Sequence, residues 1–140
     1  MSAPDNILYE YAVIRFVPRV DREEFINIGL VMMSKRNKWL KAMVSLDEDR
    51  IKALYPNADI ECLRNQSRLF ELDDVPQKDL PVEEKYRWLT AVKSACLQVS
   101  PSHPAILELE DYDVSETPHR PSSIPQLEET FYRLFSSLVL

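Results

Sequence analysis

Two neighbouring stretches decide the fold: YAVIRFVP at residues 11–18 and REEFINIGLV at residues 22–31. Both read as apolar strands, and the short, polar, proline-led linker between them predicts an antiparallel hairpin. The hairpin carries Arg15, Asn27 and Gly29, which is the only glycine of the chain. Each of these three residues is unfavourable inside an ordinary strand, so each indicates a local requirement. Together they mark a candidate site.

Outward from the hairpin, the apolar pattern predicts four strands and about four helices. The predicted strands are Ile7–Val17, Phe25–Ser34, Trp39–Leu46 and Ser94–Ser100, and the predicted helices begin after Asp47 and Asp59, cover Val82–Val92, and end the chain with a stripe of Leu127, Phe131, Leu134, Phe135 and Leu138. Strands followed by helices, a strand and a helix predict an α+β fold with a mainly antiparallel sheet. The length of 140 residues fits a single domain over residues 1–140.

One long connection stands out within that domain. Residues 101–123 are rich in proline and acidic in their middle. Turn-forming residues without strand or helix periodicity predict an exposed, acidic, proline-rich loop.

Composition excludes several classes of function. The net charge of -6 argues against a broad nucleic-acid surface. A single glycine leaves no phosphate-binding loop and no dinucleotide fingerprint, so no cofactor is predicted. Cys62 and Cys96 lack the close spacing of a metal or redox motif, so no metal site is predicted and both are read as reduced thiols. Without an apolar run of about 18 residues or a signal peptide, no membrane association is expected and the predicted location is the cytoplasm.

Three residues of the hairpin carry alternative interpretations. Arg15 shares a strand face with Val13 and Val17, where a buried guanidinium needs a partner. That partner is either a glutamate of the hairpin, by a salt bridge, or a bound carboxylate or phosphate. Strand alternation places Asn27 and Gly29 on one face. The missing side chain of Gly29 indicates a β-bulge, a crossing helix or the close approach of a ligand.

Further polar residues extend the candidate site. Glu24 is read either as a solvated or salt-bridged residue or as a general base. Ser94, Gln98 and Ser100 share a polar face of the predicted fourth strand, which is either solvent-facing or part of the site. His103 follows that strand and is either structural or a proton shuttle.

These motifs resemble a bacterial family catalogued as domain of unknown function 3037. The resemblance rests on the run from Tyr9 to Pro18, on residues 22–29, on Gln98-x-Ser100-Pro101 with His103, and on shorter matches along nearly the whole chain. The positions matching the family pattern include Arg15, Glu24, Asn27, Gly29, Ser94, Gln98, Ser100 and His103. After His103 the chain departs from the family pattern by carrying a longer acidic loop. The resemblance implies no reaction, and it implies an accessory role beside HipA-like kinases.

The first functional hypothesis is a non-catalytic binding or accessory protein. Its polar residues would form an anion, peptide or partner site on the sheet, with a protein partner such as a HipA-like kinase and without nucleic acid. The alternative is a small enzyme in which Glu24 or His103 is the general acid or base and Arg15 stabilises developing charge. A third interpretation is purely structural, with Arg15 paired inside the hairpin.

Overall fold

The computed structural model describes residues 6–71, 79–91, 96–107 and 124–140. Within these ranges the chain forms five strands and four α-helices. In chain order they are β1 (Ile7–Arg19), β2 (Glu24–Ser34), β3 (Trp39–Val44), α1 (Glu48–Leu54), α2 (Ile60–Ser67), α3 (Val82–Thr90), β4 (Leu97–Val99), β5 (His103–Leu107) and α4 (Ile124–Leu138). Short 3-10 turns follow β1 and α2. None of the helices in the described ranges is long and apolar enough to span a membrane.

All the strands pair antiparallel around β1 and β2. The sheet order is β3-β2-β1-β4, and β5 pairs with the first half of β1. Because β1 is 13 residues long, it holds two short strands in series along the edge opposite β2. Ser100 lies between them: its amide donates to the Val13 carbonyl at 2.8 Å, and its Oγ accepts from the Val13 amide at 2.9 Å. Ser100 therefore supplies hydrogen-bond partners to the β1 backbone at the point between its pairing with β4 and its pairing with β5.

Helices cover both faces of this sheet. We call the side covered by α1, α2 and α3 the three-helix face, and the other side the α4 face. On the three-helix face Ala12, Ile14 and Phe16 of β1 pack with buried residues of the helices. On the α4 face Val13 and neighbouring strand residues pack with Leu127, Phe131 and Phe135. Alternate residues of β1 thus enter two separate cores, as strand geometry requires.

A β-bulge interrupts the pairing of β1 with β2. Ile14 pairs with Gly29, but the next residue, Arg15, pairs with Asn27, so Ile28 has no counterpart on β1. Both Ile28 and Gly29 lie toward the three-helix face, whereas Asn27 lies toward α4. The predicted placement of Asn27 and Gly29 on one face was therefore wrong. An extra residue in one strand shifts its alternation by one, and a run of apolar residues conceals that shift.

Gly29 is required by the close approach of β3. A Cβ atom built at this position would lie 2.6 Å from the Met43 carbonyl oxygen and 2.9 Å from Cδ1 of Ile14. The first of these atoms belongs to the backbone, so it cannot rotate away. The β-bulge alternative for Gly29 is confirmed, and the glycine serves strand packing.

The predicted fold class is confirmed: the chain is a single α+β domain with an antiparallel sheet. The predicted helix starts at Asp47 and Asp59 are also confirmed, since each carboxylate accepts a backbone N–H three residues later. The sheet has five strands where about four were predicted.

The fifth strand corrects the prediction of a loop over 101–123. Residues 103–107 form β5, which pairs from Tyr11–His103 to Ile7–Leu107. Pro104 made this segment look like a loop, but proline is tolerated in a strand whose other edge is open. Within the described residues β5 pairs with β1 alone. The remainder of the predicted loop, 108–123, lies outside the described residues.

Candidate functional site

Three polar residues form one row across the middle of the sheet. Arg15 of β1 pairs with Asn27 of β2 on one side and with Gln98 of β4 on the other. All three are half-buried. The bulge produces this row, because in a regular strand of the same sequence Asn27 would share the face of Gly29. We call Arg15, Asn27 and Gln98 the polar row.

The guanidinium of Arg15 is held by an aromatic ring. Its Cζ lies 4.2 Å from the centroid of the Phe25 ring, and Phe25 remains 45% exposed. Such a cation–π contact orients the plane of the guanidinium while leaving its N–H groups available. Nε of Arg15 is buried and has no hydrogen-bond partner in the described ranges. Among the described residues Arg15 makes no ion pair.

The salt bridge considered for Arg15 is therefore not formed with Glu23 or Glu24, both of which are described. Glu24 pairs with Arg22 at 2.7 Å, in an exposed contact. Alternation along β2 puts Glu24 on the face opposite Phe25. Glu23 has a positive φ of 54° in the turn that leads into β2. The structural alternative for Arg15 fails for this reason, and the guanidinium keeps its unpaired donor.

In the side-chain amide of Asn27, the nitrogen has a hydrogen-bond partner and the oxygen has none among the described residues. Its Nδ2 donates to the carbonyl oxygen of Leu138, at the end of α4, at 3.0 Å. Its Oδ1 is buried and has no hydrogen-bond partner among the described residues. Asn27 thus has a structural role toward α4 and one unused acceptor.

The remaining predicted residues lie in different parts of the structure. Gln98 belongs to the row, and its side chain makes no hydrogen bond to the described residues. Ser100 is 3% exposed and serves the backbone of β1. Gly29 lies on the three-helix face. Ser94 lies outside the described residues.

His103 lies on the α4 face but away from Arg15. Its ring packs against the ring of Tyr11, with centroids 5.2 Å apart. Tyr11 is four residues from Arg15 along β1, which corresponds to about 13 Å. His103 and Arg15 thus do not converge on one reacting group, and Glu24 faces the other way. The residues of the enzymatic hypothesis are not brought together.

Sequence reasoning missed two contributors to the site. Phe25 was read only as a strand residue, although its position across the hairpin from Arg15 could have indicated the ring contact. The end of α4 was not expected beside Asn27. There Arg50 also donates from Nη1 to the Val139 carbonyl at 2.7 Å. A small cavity of about 260 Å³ lies here and is lined by Asn27 and Arg50 among others.

The described residues hold no cluster of three or more histidine, cysteine, aspartate or glutamate side chains suited to a metal ion. Both cysteines are free thiols. Nε of Arg15 and Oδ1 of Asn27 are the two buried side-chain polar atoms without a partner in the described part of the chain. The chemistry available at the row is therefore hydrogen bonding and charge recognition.

One protein family is similar to this chain over nearly its whole length. A family described as protein of unknown function (DUF3037) matches residues 11–139. The match spans β1 from Tyr11 onward, all of β2, and α4, so it includes every member of the polar row. No curated protein and no solved structure matches the chain. Because this match covers nearly the whole chain, the chain belongs to the DUF3037 family.

Proposed function

We propose that this protein is a non-catalytic binding protein that holds an anionic group of a partner at the polar row. The observation that carries the proposal is the buried Nε of Arg15, which has no partner among the described residues. Leaving a buried guanidinium donor unpaired costs free energy, and an incoming anion removes that cost. The planar fork of arginine suits a carboxylate or a phosphate.

The surroundings of Arg15 support recognition. Phe25 holds the guanidinium plane from one side, so little side-chain entropy is lost on binding. Gln98 offers a further donor and acceptor on the neighbouring strand. A fixed charge with adjacent neutral hydrogen-bonding groups is a common arrangement in sites that bind without reacting.

The lack of a convergent acid or base favours binding over catalysis. General acid–base chemistry requires the proton-transferring group within hydrogen-bond reach of the reacting atom. His103 is about 13 Å along the strand from Arg15, and Glu24 is on the other face. The polar row consists of an arginine, an asparagine and a glutamine, so it contains no carboxylate and no imidazole.

The partner is proposed to be a protein in the bacterial cytoplasm, with a HipA-like kinase as the specific expectation. The net charge of -6 suits a partner whose surface is basic overall and that presents one acidic group to Arg15.

A co-purification experiment tests this function. The tagged protein is co-expressed with a HipA-like kinase from the same organism and also used to capture partners from its native cell lysate. Arg15→Ala and the control Arg133→Ala, on the exposed side of α4, are tested beside it. The wild type and the control should retain the same partner, and Arg15→Ala should lose it while keeping a native circular dichroism spectrum. Retention of the partner by Arg15→Ala would contradict the proposal.

A further inference from the structure

We infer that the group bound at the polar row is the carboxylate of an aspartate or glutamate in a peptide segment, with a peptide N–H beside it, and not a phosphate. This inference rests on the proposed function and names its ligand class. It follows from the opposite hydrogen-bonding character of the two unpaired atoms. Arg15 Nε is a donor, whereas Asn27 Oδ1 is an acceptor.

The orientation of the Asn27 amide is fixed by α4. Oxygen and nitrogen of an amide are easily exchanged when nothing distinguishes them. Here Nδ2 donates to the Leu138 carbonyl oxygen at 3.0 Å, and a flipped amide would bring two oxygen atoms together. Oδ1 therefore stays directed away from that carbonyl and needs a donor from elsewhere.

The two unpaired atoms belong to paired residues. Arg15 and Asn27 are directly opposite each other, so their Cα atoms are about 4.5–5.5 Å apart. A ligand must therefore present an acceptor and a donor as close neighbours. Of the three guanidinium nitrogens only Nε is both buried and unpaired. Side-on binding of a carboxylate uses Nε–H together with one terminal N–H.

Phosphate meets only half of this requirement. Above a pH of about 6 a phosphomonoester loses its second proton, and the free oxygens of the resulting dianion are acceptors only. One of them would be brought toward Oδ1 of Asn27, which would remain unpaired. An acidic residue in a peptide supplies both groups, because its carboxylate accepts from Arg15 and a neighbouring peptide N–H donates to Asn27. The peptide unit beyond it can pair with Gln98, whose amide both donates and accepts.

Nuclear magnetic resonance of the full chain tests the assignment. The Nε–Hε signal of Arg15 is followed at about pH 7.5, where methyl phosphate is almost entirely a dianion without a P–OH group. Three probes are added at equal ionic strength: N-acetylaspartate N-methylamide, methyl phosphate and N-methylacetamide. The first should shift this signal saturably and bind about tenfold more tightly than methyl phosphate, which leaves Oδ1 unpaired. N-methylacetamide, which lacks the charge, should shift it least.

Variants separate recognition from folding. Arg15→Lys keeps the charge but lacks the side-on fork, and Gln98→Leu removes the third member of the row. Binding by these variants is followed through the backbone amide signals of neighbouring β1 and β2 residues, because a lysine at position 15 has no Nε–Hε signal. Both should bind the acidic probe more weakly with an otherwise native amide spectrum, whereas the control Arg133→Lys should bind as the wild type does.

Two outcomes would overturn the inference. Equal binding of methyl phosphate would leave the anion site standing but remove the peptide assignment. No response to any probe would indicate that a bound water alone bridges Arg15 and Asn27. The co-purification with Arg15→Ala would then judge the proposed function separately.

Discussion

Gly29 occupies a point where the backbone of β3 leaves no room for a side chain. Gly29→Ala would bring a methyl group to 2.6 Å from the Met43 carbonyl oxygen. Relief requires a shift of β3, so we expect a loss of at least about 1–3 kcal/mol in the free energy of unfolding. Urea denaturation measures it, with Ser136→Ala on the exposed side of α4 as the control. A change below the error of the control would show that β3 shifts freely.

Tyr86 gives the protein a dependence on alkaline pH. Burial raises the pKa of Tyr86 to about 12, and its hydrogen bond to Ser102 Oγ at 2.7 Å lowers it by less. An unfolded tyrosine ionises near 10. Between about pH 10 and 12 the unfolded chain therefore loses a proton that the folded chain keeps, and stability falls as pH rises through this window.

Tyr86→Phe removes the ionisable hydroxyl group, and with it this part of the loss of stability at alkaline pH. We expect the variant to lose less stability than the wild type between about pH 9.5 and 11.5, a range that spans the ordinary pKa of tyrosine. Urea unfolding at the two pH values measures the difference. Tyr55→Phe is the control, since the Tyr55 hydroxyl makes no hydrogen bond to the described residues. Equal slopes for wild type and Tyr86→Phe would contradict the assignment.

At the level of single residues, the sequence predicted the sheet face on which a side chain lies better than it predicted the residue that the side chain contacts. Strand alternation correctly placed Arg15 on the face of Val13, because β1 is regular as far as that residue. It misplaced Gly29 relative to Asn27, since the bulge lies within a run of apolar residues. The contact of Asn27 with Leu138 joins residues 111 positions apart and has no local signal.

At the level of elements, the end of α4 depends on side chains from elsewhere in the chain. A helix leaves its last carbonyl groups without internal partners. Asn27 satisfies the carbonyl of Leu138 and Arg50 that of Val139. These bonds anchor the end of α4 to β2 and α1, and so keep the helix beside the polar row.

Arg50→Met should loosen this anchor. Loss of a charge-assisted hydrogen bond in a half-buried position is expected to cost about 1–2 kcal/mol. Amide exchange in the last turn of α4 should also accelerate. The control is Arg64→Met, whose ion pair with Glu48 is exposed and should be worth less than about 1 kcal/mol. An equal effect from both variants would argue against a specific anchor.

Element prediction succeeded where the signal is local. Asp47 and Asp59 begin helices by bonding three residues ahead, and this spacing is readable in the sequence. The strand β5 could not be read in this way. Pro104 and the exposed residues around it have no strand periodicity, and the strand exists because β1 is long enough to pair with it.

At the scale of the whole molecule, the described residues form one sheet with a core on each face. Each core contains one of the two tryptophans: Trp39 belongs to the cluster under α4, and Trp88 packs against the three-helix cluster. Trp39 Nε1 also donates to Glu128 of α4 at 3.2 Å. Because β1 contributes to both cores, we expect the two faces to unfold together.

Single-tryptophan variants test this cooperativity. Trp88→Phe leaves Trp39 to report on the α4 face, and Trp39→Phe leaves Trp88 to report on the other. In each variant the urea midpoint from fluorescence should coincide with the midpoint from far-ultraviolet circular dichroism. An early fluorescence transition in one variant alone would mean that its core unfolds independently.

The bulge at Ile28 gives length changes in this hairpin unequal consequences. Deletion of Ile28 would remove the bulge, and Asn27 would then follow Gly29 in strict alternation and keep its place on the α4 side. Deletion of one residue elsewhere in β2, with the bulge retained, would carry the side chains between that point and the turn to the other side of the sheet. Among genes of this family, a one-residue difference in the length of this hairpin would therefore leave the site on the same surface only where it coincides with loss of the bulge.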